Sequence, residues 1–404
     1  MKALVFEGIG NIQLKDVPDP QIQEPTDAIV GITACGICGT DLHMVRGTIS
    51  MMEPGTVLGH EGVGVVEELG TEVRNLNLGD RVVIPSTIAC GYCSYCRDGY
   101  YSQCDNANPQ GKLAGTAYFG GPKMSGPFDG LQAERARIPF ANVGLVKIPD
   151  NVTDQQAIFL SDIFPTGYFG AKLAEIKPGD TVAIFGCGPV GQMAVASAKL
   201  LGAGRIFAID QVPSRLEMAR AQGAEIIDFS KEDPVATILN LTGDIGVDRA
   251  IDAVGIDAER PHQGEAVKES NDNAEMFLQE LQEIAPQITL QGDGWMKGDA
   301  PSQVHIWAVN SLAKAGTFAI IGVYPETDRF FPIGKAMNKN LTINMGNCNH
   351  RKYIPQLLDY IEQGVFDPSK ILTQVEPITN ILQAYKAFDK KESGWVKVEL
   401  VPGI

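Results

Sequence analysis

Eight cysteines stand in the 404-residue sequence, and four of them crowd into one short stretch, IACGYCSYCRDGYYSQCDNA. Cys90, Cys93, Cys96 and Cys104 follow the pattern C-x2-C-x2-C-x7-C. Four thiolates on so short a segment can wrap one tetrahedral zinc, because the two-residue steps leave room for turns that aim successive sulfurs inward. Such a site is closed to substrate. Its expected work is structural, pinning a loop rich in Gly, Tyr and Ser that carries little core of its own. The alternative is a set of buried or disulfide-paired thiols, but a cytosolic chain keeps its thiols reduced and clustered cysteines there more often hold metal. A zinc ribbon that binds nucleic acid is the rival functional reading; within the loop only Arg97 supplies basic charge.

Two further stretches carry chemistry. In ACGICGTDLHMVRG and VLGHEGVGVVEELG, Cys38 offers a thiolate and His60 an imidazole, which is suggestive of a second metal site and no more on spacing alone. In TVAIFGCGPVG an apolar strand runs into Gly186-x-Gly188-x-x-Gly191, and a helix-like QMAVASAKLLGA follows Pro189 and Val190. A second strand, RIFAID, ends in Asp210 about 20 residues later, as a dinucleotide fingerprint requires. The glycines allow a tight turn and close backbone approach, and the helix N-terminus attracts a pyrophosphate. Asp210 could accept hydrogen bonds from both adenosine ribose hydroxyls while repelling a 2′-phosphate, so NAD is expected over NADP. Arg215 either flanks the adenine or solvates its helix.

The elements that must position these residues can be bounded from the sequence. At this length the chain should divide into about two or three domains. With 44% hydrophobic and 20% charged residues it reads as an ordinary globular protein, and a net charge of −16 argues against a nucleic-acid partner. The opening MKALVFEGIGNIQLKDVPDP alternates like a strand and lacks the plan of a signal peptide. No apolar run approaches the roughly 20 residues that a membrane helix needs. We therefore expect a cytoplasmic location and no membrane partner. The buried-strand patterns VDRAIDAVG and GTFAIIGVYP extend the nucleotide region toward a six-stranded doubly wound sheet. Sixty residues separate Gly255 from Gly316 (316 − 255 − 1), against the dozen or so that a crossover needs. That excess predicts an inserted long loop with about one helix, a disordered excursion being the alternative.

The four-cysteine loop, the GHEGVGVVEELG motif and GCGPVGQ, in this order, resemble the zinc-dependent medium-chain alcohol dehydrogenases over essentially the whole chain. The resemblance implies an α/β fold: a GroES-like, mainly-β catalytic domain over 1–162 and a Rossmann coenzyme domain over 163–331, with a return segment over 332–404 completing the first. The insertion falls at about 257–302. It also makes Cys38 and His60 ligands of a catalytic zinc, with Asp41 accepting the second N–H of His60. Cys35, Cys187 and Cys348 match no ligand position. The family's third ligand is usually Cys or a carboxylate, and LSDIFPTGY places Asp162 there, which with HMVRG resembles the glutathione-independent formaldehyde dehydrogenase branch. Glu61 would either approach the metal during ligand exchange or sit as a buried acid beside it. Lys397 either approaches the pyrophosphate or is solvated.

The implied cofactors are two zinc ions per chain and NAD, with nicotinamide and catalytic zinc meeting in the cleft between domains. The implied reaction is reversible hydride transfer from a small alcohol or hydrated aldehyde, the proton leaving through Thr40, the nicotinamide ribose and His43. In the formaldehyde dehydrogenase branch the insertion covers the adenine end of NAD, and retained NADH would permit aldehyde dismutation. A polyol- or threonine-type dehydrogenase, or a redox-inactive relative that serves as a binding protein, shares the domain plan. The partners expected are a small-molecule substrate and other copies of the chain, with a homotetramer favoured over a dimer.

Overall fold

The stretch TVAIF, Thr181–Phe185, is apolar without alternation and its last four residues are buried, the pattern of a strand covered on both faces. In the computed structural model, which describes residues 1–126, 128–285 and 295–403, it lies inside a six-stranded parallel sheet. The strand order across that sheet is Glu225–Asp228, Arg205–Asp210, Thr181–Phe185, Val247–Asp252, Leu312–Ile320 and Thr342–Met345. In chain order this is 3-2-1-4-5-6, the doubly wound arrangement that places the reversal of strand order, and hence a ligand crevice, beside Thr181–Phe185. Pro189 opens the following helix, Pro189–Leu200, where its missing N–H costs nothing. Gly191 is the glycine that lets the helix lie against the strand: a Cβ there would collide with the Gly186 carbonyl oxygen.

This sheet belongs to one of two compact units, Thr166–Leu290 with Met296–Gly346. The other comprises Met1–Pro165, Gln291–Trp295 and Asn347–Ile404. Its core is a seven-stranded sheet in which Gln374–Pro377, Val398–Val401, Ala28–Ile37, Gly62–Leu69, Arg81–Ile84 and Val146–Lys147 lie side by side. Arg135–Ile138 pairs with the first half of Ala28–Ile37, and Val398–Val401 with its last three residues. The long strand is therefore the spine of the unit, and one face packs Val30, Ile32, Val66, Val82 and Leu400 into a single apolar cluster. Among the described residues no helix is long and apolar enough to cross a membrane.

One boundary and one helix count differ from the sequence expectation. The return to the first unit was placed at 332, but the sixth strand of the parallel sheet, Thr342–Met345, still lies ahead and the chain re-enters the first unit only at Asn347. That strand is four residues long and half exposed, too brief to stand out as an apolar run. The insertion was expected to carry about one helix; among its described residues it carries two, Val267–Asp272 and Ala274–Ile284. The second buries Phe277, Leu281 and Ile284, spaced four and three apart on one helical face. Positions 286–294 of the insertion lie outside the described residues. Where the description resumes, Trp295 belongs to the first unit, its Nε1–H donating to the Gly10 carbonyl at 3.0 Å and its ring standing edge-on to Tyr385.

Glu280, on the same insertion helix, is fully buried and accepts from the Ser302 hydroxyl at 2.8 Å. Burial pushes its carboxyl up to about 7, with Asp328 adding to the rise and Ser302 opposing it. The folded state thus holds this proton more tightly than the unfolded chain, so stability is full below about pH 4.5 and declines as pH rises to about 7. Glu280→Gln keeps the acceptor for Ser302 and removes the titration. Relative to wild type, thermal melts from pH 5 to pH 8 should move in the variant's favour by about 1–3 kcal/mol.

Candidate functional site

The helix Gly39–Arg46 starts at Cys38, and its first turn is closed by a side chain. Asp41 Oδ2 accepts from the Cys38 backbone N–H at 2.9 Å, the reciprocal half of a capping box. The other oxygen of Asp41 lies 3.1 Å from His60 Nδ1. One carboxylate therefore fixes the residue that carries the thiol and orients the ring that carries the imidazole. With Nδ1 turned to Asp41, Nε2 points the opposite way and lies 3.2 Å from Asp162 Oδ2. Asp162 Oδ2 is in turn 3.5 Å from Cys38 Sγ. A ligand atom from each of Cys38, His60, Glu61 and Asp162 falls within 4.8 Å of the others, and all four residues are buried.

Asp162 reaches this point because the chain breaks there. Helix Asp154–Ser161 begins in a Thr153/Gln156 capping box and ends at Asp162, whose backbone (φ −143°, ψ −70°) is non-helical before the next helix, Ile163–Leu173. Ser161 anchors the break: its hydroxyl accepts from Gly62 N at 2.9 Å and donates to the Ile84 carbonyl, while its own carbonyl accepts from Ser86 N. The end of the helix is thereby tied to two strands of the sheet directly beside His60 and Glu61. Sequence reasoning did not single out Ser161, since a serine in an apolar helix carries no spacing signal.

The electrostatics of the cluster suit a cation. Burial pushes the Cys38 thiol up to about 11, with Asp162 adding to the rise and His60 opposing it. Burial alone would lower His60, but Asp41 and Cys38 more than reverse this and hold it well above the ordinary imidazole range. Asp162 is held well below the usual carboxylate range, burial being outweighed by hydrogen bonds from His350 and His60. Thiolate, imidazole and carboxylate are acceptable zinc donors, and three of them leave a position free for a further ligand.

Two expectations change. Lys397, expected either at the coenzyme or in solvent, is 0% exposed and forms an ion pair with Glu61, with the Ile37 carbonyl as a second acceptor at 3.4 Å. The cause is register: Val398 pairs with Ile37, which sets the preceding lysine underneath Glu61. Glu61 is buried, paired with Lys397, and its carboxylate lies among the atoms that surround the candidate site. Gly36 makes room for the pair, since a Cβ there would overlap the Glu61 carboxylate.

Thr40 and His43 share one face of the helix Gly39–Arg46. Thr40 Oγ1 is 3.9 Å from Cys38 Sγ, and His43 Nδ1 is 3.4 Å from Thr48 Oγ1. The Tyr118 ring stands edge-on to His60 with 6.5 Å between centroids. His350, which sequence reasoning also missed, places Nε2 2.8 Å from Asp162 Oδ1. Cys35, Cys187 and Cys348 are buried and lie outside both cysteine-containing clusters.

The four-cysteine loop closes on itself. Cys93 N and Cys96 N donate to Cys90 Sγ at 3.4 Å and to Cys93 Sγ at 3.5 Å, and Cys90 N donates to Cys104 Sγ at 3.2 Å. Asn106 adds a side-chain N–H on Cys90 Sγ at 3.3 Å, and the four sulfurs lie within 4.8 Å of one another. Burial raises Cys96 and Cys104, whereas backbone N–H groups bring Cys93 down to about 7 despite its burial. These short N–H···S contacts are what a cluster of thiolates needs, and the set fits one tetrahedral metal.

In the other unit, Asp210 accepts from Cys187 N at 2.8 Å through Oδ2, and from Gln211 N at 2.7 Å and Val212 N at 2.9 Å through Oδ1. It thereby joins the glycine turn to the end of the second strand, with lone-pair capacity left for a further donor. A Cβ on Gly188 would come 3.8 Å from an Arg215 guanidinium nitrogen, so Arg215 leans over the turn. Gln192, a further residue without a sequence signal, donates from Nε2 to the carbonyls of Cys187 and Arg215 and locks turn to helix.

Comparison with known proteins agrees with this geometry. Residues 24–150 match the family model of the alcohol dehydrogenase GroES-like domain, and residues 189–263 match that of the zinc-binding dehydrogenases. The chain is 36% identical over 405 residues to the uncharacterized zinc-type alcohol dehydrogenase-like protein AdhB of Bacillus subtilis, covering 100% of both chains. It is 35% identical over 403 residues to a glutathione-independent formaldehyde dehydrogenase of Pseudomonas aeruginosa, covering 96% of this chain and 94% of the relative. Among solved structures, alcohol dehydrogenase TADH from Thermus sp. ATN1 superposes with a TM-score of 0.79 at 35% identity over 100% of both chains. Both the buried cluster and these full-length similarities lead to one conclusion: the chain belongs to the zinc-type alcohol dehydrogenase family.

Proposed function

We propose that the chain is a zinc-dependent, NAD-linked dehydrogenase that oxidises a small alcohol or hydrated aldehyde in a reversible hydride transfer. The observation that carries this reading is the convergence of Cys38 Sγ, His60 Nε2 and Asp162 Oδ2, from three separated segments, on one buried point. Bound there, zinc supplies Lewis acidity toward a substrate oxygen, and NAD on the glycine turn supplies the hydride acceptor. Cys38, His60 and Asp162 would hold the metal, Asp41 would keep His60 in the tautomer that leaves Nε2 free to bind, and the four-cysteine loop would hold a second, structural zinc. Thr40 would take the proton from the substrate hydroxyl and His43 would deliver it to solvent, so the buried acid Glu61 need not serve as base.

Asp210 supports NAD over NADP, because its carboxylate stands where a 2′-phosphate would bring like charge. Gly186, Gly188, Pro189, Val190 and Gly191 form the turn for the pyrophosphate, and Arg215 leans over it. Lys397 supports the site from beneath through Glu61. The formaldehyde dehydrogenase relative supports small alcohols and aldehydes as substrates and keeps aldehyde dismutation within the reading. Cytoplasmic location and a homo-oligomer, a tetramer before a dimer, complete it; the edge strand Thr342–Met345, with Met345 exposed, is available for contact between copies.

Metal and nucleotide analysis of the purified protein should return two zinc ions per chain, with NAD reduced on addition of a short-chain alcohol or aldehyde; one zinc and no NAD reduction would reject the reading. Asp162→Ala should keep one zinc and lose about two orders of magnitude or more in turnover. Cys93→Ser should instead lower the apparent Tm, by about 5–10 °C, with the loss of the other zinc. The metal-free site holds a proton on Cys38 and one on His60 at neutral pH, because both groups lie above their ordinary values. Zinc must displace both, so affinity at the catalytic position should rise with pH, by as much as about a hundredfold per unit between pH 6 and 8. Chelator competition at each pH measures this, and a flat profile would contradict it.

A further inference from the structure

The two oxygens of Asp162 have separate tasks. Oδ2 faces the ligand cluster, 3.5 Å from Cys38 Sγ and 3.2 Å from His60 Nε2. Oδ1 lies 2.8 Å from His350 Nε2. A carboxylate only accepts, so His350 donates from Nε2, and its Nδ1 lies 3.1 Å from Thr87 Oγ1, within hydrogen-bond distance of that hydroxyl. The ring is thus oriented from both sides. It sits at the first position of the helix His350–Glu362, is 3% exposed, and comes from a segment 188 residues away from Asp162. Thr87 is itself placed by a backbone bridge to Tyr118, the residue whose ring stands against His60.

We propose that His350 is a positioning residue for the candidate metal centre, holding Asp162 by Oδ1 so that Oδ2 alone is presented beside Cys38 and His60. The inference rests on the zinc-enzyme reading above. A carboxylate without such a tether can rotate, or bind a metal through both oxygens and so occupy the position that substrate needs. The tether removes both options. It mirrors the arrangement at His60, where Asp41 orients an imidazole; at Asp162 an imidazole orients a carboxylate. Neither Thr87 nor His350 needs to touch the metal or the substrate for this role.

The test compares wild type, His350→Gln, whose amide N–H can replace the Nε2 donor, and His350→Leu, which fills the space without a donor. Zinc release to a chelator is followed for each protein, and cobalt(II) is introduced at the catalytic position for absorption spectroscopy. His350→Leu should release one zinc about 10–100-fold faster than wild type and shift the cobalt bands, with the second zinc unaffected as the control for folding. His350→Gln should restore release to within about threefold of wild type, and Thr87→Val should fall between the two. Release and spectra unchanged in His350→Leu, or His350→Gln no better than His350→Leu, would overturn the proposal. Should His350→Leu fail to fold, the same readouts on Thr87→Val decide, and wild-type behaviour there rejects the positioning role. A wild-type protein that takes up one zinc only would reject the zinc-enzyme reading together with this proposal, whereas two zincs in wild type with an indifferent His350→Leu would reject the proposal alone.

Discussion

A single carboxylate, that of Asp41, accepts from a backbone N–H through one oxygen and faces an imidazole nitrogen with the other, and the geometry of the candidate metal site follows from that double contact. The same side chain closes the first turn after Cys38 and lies 3.1 Å from His60 Nδ1, so one residue borders both the thiol-bearing turn and the imidazole. Gln132 extends the arrangement: its Nε2 donates to the Gly36 carbonyl at 2.9 Å and to Asp41 Oδ2 at 3.3 Å, and its carbonyl accepts from the Tyr385 hydroxyl at 2.8 Å. The participants in this buried network come from a strand, a helix, a loop and the C-terminal helix of one unit.

The second buried charge pair, Glu61 with Lys397, answers a different demand. The cluster concentrates acidic groups among buried residues, and an unpaired, fully buried carboxylate there would cost several kcal/mol. Lys397 offsets that cost for Glu61, although burial still leaves this carboxyl raised. The end of the strand Ala28–Ile37 and the residue after it serve both features: Gly36 clears space for Glu61, Ile37 offers its carbonyl to Lys397, and Cys38 begins the helix.

What could be read from the sequence was what is local. The glycine turn and Asp210 follow from a strand, a spacing and a helix, and the four-cysteine loop from fifteen consecutive residues. Cys38 and His60 were legible as a suggestive pair, and Asp41 and Asp162 were singled out only through the family resemblance, since neither an aspartate in a helix's first turn nor one between two helices carries a metal signal of its own. His350, Ser161 and the partner of Lys397 were not legible, because each depends on register or on contacts between segments far apart in the chain. The insertion was located by arithmetic, but its second helix was masked by a polar run that conceals Phe277, Leu281 and Ile284.

Contact range also separates the two cysteine-bearing clusters in time. All the sulfurs of the loop have emerged once Cys104 has been made, and closing so short a segment has a small entropic cost. Cys38 and Asp162 lie 124 residues apart, and the ring that contacts Asp162 Oδ1 is synthesised 188 residues later still. Domains fold as units while the ribosome proceeds from the N-terminus. A growing chain could therefore complete the four-cysteine loop, the proposed seat of a structural zinc, long before the other pocket, and a chain truncated ahead of His350 would keep that loop beside a pocket left unfinished.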